Sequence, residues 1–358
     1  MSTKITIIGT TTWGVTLATV LSRRDLKISL WARNDEEAGR VRMSCFPRNK
    51  MPENFTLPPS IDVTSDVAKA MDDTTAVILA VPSQGMRDNI RCVAPYLGRR
   101  TLIISAAKGL ELSSGKLMSQ VITDEVKKQY ADNICVLSGP NLAWEILAGR
   151  PAVTVIAADK DSRARRAAKI FSVPNFCAYT NSDVIGVELG GALKNIIAIG
   201  AGMVDGLGYG DNAKAALITR GLTEITALGS ALGANPLTFS GLAGLGDLVA
   251  TCSSKLSRNH YVGLELTKGR SLKEITEGMA SVAEGITTTL VAYNLAQKLD
   301  LAMPITESIY GVLYRGEDLR SAALGLMAAS AAHELAGKRW NLFSFFRRKK
   351  KQPTALTF

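Results

Sequence analysis

Short, continuously apolar runs alternate with longer amphipathic stretches through the first half of the chain. The runs at 4–9, 27–32, 76–82, 101–106, 133–138, 152–158 and 175–180 are strand-length and rich in Ile, Val, Leu and Ala. Several lack the polar alternation of a half-exposed sheet, which predicts parallel strands covered on both faces. Helical spacing separates them, so this half predicts a doubly wound α/β sheet. After about residue 182 the strand signals stop. Helical patterns follow at 183–204, 212–229, 257–267, 271–279, 287–299 and 305–314, joined by glycine-rich connections such as Gly206-Leu-Gly-Tyr-Gly210. The expected organisation is an α/β domain over 1–182, an all-α domain over 183–337 and a tail over 338–358.

A chain of 358 residues is long enough for two cores. Its net charge of +10 suggests a nucleic-acid binder until the charge is located. Lys338, Arg339 and Arg347 to Lys351 carry seven positive charges with no acid among them, so the body is nearly balanced and no nucleic-acid partner is expected. Five cysteines without a CxxC pair and only two histidines provide no metal-ligand pattern, and no metal is expected. No segment has the apolar core of a signal peptide or an unbroken membrane-length run, which points to a cytoplasmic protein.

The stretch Ile7-Ile8-Gly9-Thr10-Thr11-Thr12-Trp13-Gly14 has the outline of a dinucleotide-binding turn. Gly9 ends a strand and Gly14 opens a helix, which makes the sheet Rossmann-type. Thr11 stands where a second glycine would let the backbone approach a pyrophosphate, although its hydroxyl could donate to a phosphate. About twenty residues on, Arg33 occupies the place where an acid usually holds the ribose 2′-OH. It either pairs with a 2′-phosphate or is a solvated strand-end charge, and Asp35 and Glu36 keep NAD open.

In "VELGGALKNIIAIGAGMVDGLG" Lys194 is the only charge between Glu188 and Asp205. A helix apolar on all sides is buried. Burial lowers the pKa of lysine, so Lys194 is the candidate general acid/base, against the alternative of a lysine snorkelling to the surface. Gly190 and Gly191 imply close packing at that turn. Asp247, isolated in "GLAGLGDLVATC", is either the partner of Lys194 or the N-cap of the following helix. Ser257-Arg258-Asn259 opens another helix, as a phosphate cradle or through plain capping by Ser257.

Together these segments resemble the bacterial-type NAD(P)-dependent glycerol-3-phosphate dehydrogenases. The matching motifs are Ser105-Ala-Ala-Lys108-Gly109, Ser138-Gly-Pro-Asn-Leu-Ala143, Gly191-Ala-Leu-Lys194-Asn195, Gly241-Leu-Ala-Gly-Leu-Gly-Asp247-Leu and Ser257-Arg258-Asn259, with similarity from about Ile5 to Tyr314. The resemblance implies a Rossmann domain with a helical substrate domain, a homodimer, and reversible reduction of dihydroxyacetone phosphate to sn-glycerol 3-phosphate, a phospholipid precursor. NADP(H) is the expected cofactor, with NAD(H) as the alternative. By motif, Lys194 exchanges the proton, with Lys108, Asn195 and Asp247 in the substrate pocket. Gly139 and Asn141 line the same pocket, and many members have Ser at the latter position. Ser257, Arg258 and Asn259 would hold the substrate phosphate. Gly9, Thr11, Thr12, Trp13, Gly14, Arg33, Lys108, Ala143, Arg258, Val282 and Glu284 would line the cofactor.

The rivals are a related two-domain reductase of another keto acid or keto phosphate, and a nucleotide sensor without turnover. A sensor has no need of a buried proton donor. In the tail, Trp340, Phe343, Phe345 and Phe346 precede the basic cluster. That pattern is either a solubilising end or a peripheral contact with anionic membrane.

Overall fold

The apolar runs of the first half form one sheet in the computed structural model, which describes residues 3–47, 51–279 and 281–322. Eight strands, β1 (Lys4–Ile8), β2 (Lys27–Trp31), β3 (Ile61–Thr64), β4 (Ala76–Leu79), β5 (Leu102–Ser105), β6 (Ile134–Ser138), β7 (Ala152–Ala157) and β8 (Phe176–Asn181), lie in the order β3-β2-β1-β4-β5-β6-β7-β8. Residue alternation divides their side chains between two cores. Ile5, Ile7, Ile78 and Ile104 pack on one face, and Ile8, Val77, Leu79 and Ile103 on the other. That two-sided burial is why the strands read as unbroken apolar runs.

Two features depart from the sequence expectation. β3 gave no strand signal because it is four residues long and interrupted by exposed Asp62. The other is polarity: β7 runs antiparallel to β6, while β8 is parallel to β7. An apolar run reports burial on both faces and is silent on direction. The remaining pairs are parallel, and the order reverses between β1 and β4, where a doubly wound sheet opens a crevice at its C-terminal strand ends.

Beyond β8 the described residues form helices around the 23-residue helix Val184–Gly206. Helices Gly210–Ala231, Asp247–Ser253, Arg258–Thr267 and Glu284–Lys298 pack against it. Contact with Arg258–Thr267 is close enough to exclude side chains. A Cβ on Gly263 would lie 1.9 Å from the Ile199 carbonyl oxygen, and one on Gly202 would lie 2.0 Å from that of His260. The central helix is long and apolar enough to cross a membrane, but it is buried inside the protein. The expected tail at 338–358, like the end of the expected helical domain, lies outside the described residues.

Candidate active site

After β1 the chain turns at Gly9, whose φ of 105° lies in the region glycine enters without strain. A Cβ on Gly14 would fall 2.0 Å from the Gly9 carbonyl oxygen, so helix Thr12–Leu21 can begin this close to the strand only with glycine there. Thr11 caps that helix. Its Oγ1 accepts from the Gly14 N–H at 3.0 Å and donates to the Ala80 carbonyl at 2.7 Å. This corrects the expectation of a hydroxyl donating to phosphate, because its one proton is committed to the end of β4. Trp13 Nε1 is buried with no hydrogen-bond partner among the described residues. An unpaired buried donor is costly, and it fits a crevice completed by a polar ligand. Helix Ala143–Leu147 packs on helix Thr12–Leu21.

At the end of β2 the Arg33 side chain is 78% exposed, with Nε 3.4 Å from Glu37 Oε2. Glu37 also accepts from the Thr10 hydroxyl and from the Arg33 N–H. Burial pushes the Glu37 carboxyl up, but these hydrogen bonds outweigh it and hold the group below the usual range. The acid at this strand end is therefore Glu37. Its i,i+4 spacing from Arg33 was available in the sequence but not used.

Lys194 and Asp247 meet in the interior. The Lys194 ammonium donates to Asp247 Oδ1 and, at 2.6 Å, to Thr251 Oγ1. The Thr251 hydroxyl donates in turn to the Asp247 carbonyl at 2.7 Å, which leaves its oxygen to accept from the lysine. Lys108 Nζ donates to Asp247 Oδ2 at 2.7 Å and to the Gly139 carbonyl at 2.8 Å. One carboxylate thus joins two ammonium groups and leaves a net positive charge. Burial pushes the Lys194 pKa down to about 8, with Asp247 opposing the shift and Lys108 reinforcing it. Asp247 does not cap its helix: it is the first residue of Asp247–Ser253, and no side chain caps that start. The surface-lysine alternative for Lys194 is excluded by its 8% side-chain exposure.

The glycines beside Lys194 have their reason. A Cβ on Gly190 would lie 2.5 Å from the Ala243 carbonyl, and one on Gly191 would lie 2.4 Å from Ser138 Oγ. Ser138 Oγ is itself buried without a partner. Asn195 and Asn259 face each other: Asn259 Nδ2 donates to Asn195 Oδ1 at 2.9 Å, and Asn259 Oδ1 accepts from the Gly285 N–H at 2.9 Å. Asn141 instead turns onto β7. It donates to the Val153 carbonyl and accepts from Thr154, so its amide is occupied inside the fold.

Ser257 caps helix Arg258–Thr267 by accepting from the His260 N–H. Arg258 is solvent-accessible, yet crowding by protein lowers its pKa, the combination found on the wall of a deep cleft. Its guanidinium makes no hydrogen bond among the described residues, and its electrostatic partner is Glu284. Glu284 Oε1 accepts from the Ser83 N–H at 2.9 Å and Oε2 from the Ser83 hydroxyl. Val282, just upstream, is half exposed. Glu188 grips Ser119 in the same manner. Thr251, Ser83, Ser119 and Glu188 went unnoticed in the sequence, and only Thr251, one helical turn after Asp247, carries a local signal.

The site therefore consists of a glycine-hinged crevice at the strand-order reversal, beside a buried ammonium–carboxylate–ammonium cluster. Comparison with known proteins gives the family. Residues 4–164 match the NAD-dependent glycerol-3-phosphate dehydrogenase N-terminus and residues 183–324 the C-terminus of the same family. A glycerol-3-phosphate dehydrogenase [NAD(P)+] of Dehalococcoides mccartyi is 60% identical over 351 residues, 98% of each chain. That of Enterococcus faecalis is 44% identical over 327 residues, covering 91% of this chain and 96% of the relative. The crystal structure of glycerol-3-phosphate dehydrogenase from Coxiella burnetii superposes with a TM-score of 0.84 at 34% identity, covering 91% of this chain and 99% of the other. The chain belongs to the NAD-dependent glycerol-3-phosphate dehydrogenase family.

Proposed function

We infer that the chain reversibly reduces dihydroxyacetone phosphate to sn-glycerol 3-phosphate with a nicotinamide cofactor, and that Lys194 handles the proton. The observation that carries this is a buried ammonium held between Asp247 and Thr251, where burial pushes its pKa down to about 8. In reduction the charged lysine polarises the C2 carbonyl and gives a proton to the oxygen. In oxidation the neutral amine takes the proton back. Asp247 orients the ammonium. Lys108, on the other carboxylate oxygen, adds a second positive charge, which favours the developing oxyanion and keeps Lys194 acidic. When bound, the nicotinamide supplies or accepts the hydride.

Arg258, which makes no hydrogen bond among the described residues and has Glu284 as its electrostatic partner, and the capped helix start at Ser257 suit the substrate phosphate, with Asn259 and Asn195 fixing the backbone around them. Gly139 contributes its carbonyl to Lys108, and Asn141 holds the loop to β7. The crevice at Gly9, Thr11, Thr12, Trp13 and Gly14 suits the cofactor, flanked by Ala143, Val282 and Glu284. Arg33 at the rim favours NADP(H) over NAD(H). The divisions at 182 and 337, a homodimeric state, a cytoplasmic location, supply of phospholipid synthesis and a peripheral membrane contact by the tail complete the proposal.

The direct test follows NADPH and NADH oxidation with dihydroxyacetone phosphate and with non-phosphorylated ketones. Comparable rates on the non-phosphorylated ketones would remove the phosphate-cradle reading and favour another two-domain reductase.

A further inference from the structure

Lys108 reaches Asp247 from the loop after β5, and that loop is held by the segment 83–87 that follows β4. Gly109 rests on Ser83 so closely that a Cβ would lie 2.5 Å from its hydroxyl oxygen. Gln84 binds the next residues with both ends of its amide: Nε2 donates to the Leu110 carbonyl at 2.8 Å, and Oε1 accepts from the Leu112 N–H at 2.9 Å. Arg87 takes the Glu111 carboxylate in a two-pronged fork, Nε to Oε1 and Nη2 to Oε2, each at 2.8 Å. Asp124 and Glu125 also pair with Arg87, and they are shared with Lys116 and Arg91. The two-pronged geometry of the fork, together with both ends of the Gln84 amide, fixes the loop in register and direction.

We propose that Gln84 and Arg87 are positioning residues, which clamp loop 108–112 so that the Lys108 ammonium stays on the Asp247 carboxylate during turnover. Neither residue touches the cluster itself. Their effect passes along the loop backbone to Lys108, and through Asp247 to Lys194. The inference rests on the reading of Lys194 as the proton-transfer group.

Loosening the loop has a consequence that a merely stabilising network lacks. The groups acting on Lys194 are Asp247 and Cys252 of its partner helix and Lys108 of the loop. On the other helices packed against the Lys194 helix, His260 pairs with Asp205, Glu284 with Ser83, and Glu224 with the start of helix Pro304–Tyr310. Arg258 is paired electrostatically with Glu284. Of the groups that act on Lys194, Lys108 is the cation, so its withdrawal makes the lysine a weaker acid.

The test uses full-length Gln84→Ala and Arg87→Met, with Lys194→Ala as a reference. Gln84 is exposed, so Gln84→Ala carries the test should Arg87→Met fail to fold. Expected are a roughly 10- to 100-fold lower kcat, cofactor Kd within about twofold, and an alkaline limb of the reduction profile raised by roughly half a pH unit. A lower melting temperature with kcat per folded molecule and pH profile unchanged would overturn the positioning role. Full activity in Lys194→Ala would instead overturn the underlying reading of the site, so the two failures are separable.

Discussion

Glu188 lies 69 residues from Ser119 in sequence, yet its two carboxylate oxygens accept both the N–H, at 2.9 Å, and the O–H of that serine. Glu284 does the same to Ser83 across 201 residues. In each pair a glutamate from the helical half seizes a serine in the first turn of a helix in the sheet half, and among the described residues neither glutamate has a directly bonded cation. Burial raises both carboxyls, Glu188 to about 7, against the hydrogen bonds from serine.

Glu188→Gln tests that cost. A glutamine keeps both contacts, because the serine oxygen can accept from the new amide. Between its ordinary pKa and about 7, Glu188 keeps its proton in the folded state while the unfolded chain has lost it, so native stability falls as pH rises through that window and levels off above it. The variant lacks this decline. Its stability relative to the parent should improve by about 2–3 kcal/mol between pH 5 and pH 8 in urea unfolding. An unchanged difference across that range would mean that Glu188 titrates normally.

Lys194→Ala should lower kcat by roughly 10²- to 10⁴-fold while cofactor Kd, read by fluorescence quenching, stays within a few-fold. Unchanged turnover would remove its assigned role.

The pH dependence follows from the depressed ammonium. Reduction needs charged Lys194, so its rate should fall above about pH 8, and oxidation, which needs the neutral amine, should rise through the same region. Limbs near the ordinary lysine value in both directions would show that the group stays fully charged during turnover.

Arg33→Ala should weaken NADPH by roughly tenfold or more and leave NADH nearly unaffected, as measured by Kd for each cofactor. Equal losses would mean that Arg33 does not read the 2′-phosphate.

Thr11→Gly removes the donation to Ala80 while retaining a tolerated cap, so it should cost about 1 kcal/mol of stability with turnover retained. Loss of turnover without loss of stability would assign the hydroxyl a part in cofactor binding after all.

The sequence made the two-sided sheet, the helical second half and the isolation of Lys194 legible, because burial writes itself as uninterrupted apolar pattern. Gly9, Gly14, Gly190 and Gly191 were legible for a similar reason: the absence of a side chain marks a close approach. Strand direction at β7 was not, since the same pattern serves both polarities. The serine–glutamate pairs were invisible because their partners are set by the tertiary path, and a lone Ser or Glu has no period. Asn141 and Thr11 misled in the opposite way: each carries polar atoms suited to a ligand, and the fold had already engaged them.

The backward strand decides which way Lys194 travels. β8, parallel to β7, descends the sheet opposite to β6 and ends with Asn181 level with Ala157, itself opposite Val136. The next helix must climb, and after about 10 Å of rise from Val184 it brings Gly191 against Ser138, at the top of β6. One more turn delivers Lys194 to the rim. Had β7 and β8 followed the polarity of β6, the chain would have left the sheet at the rim already, and a helix this apolar, packing back along the sheet, would have carried its lysine down and away from Lys108 and Asp247.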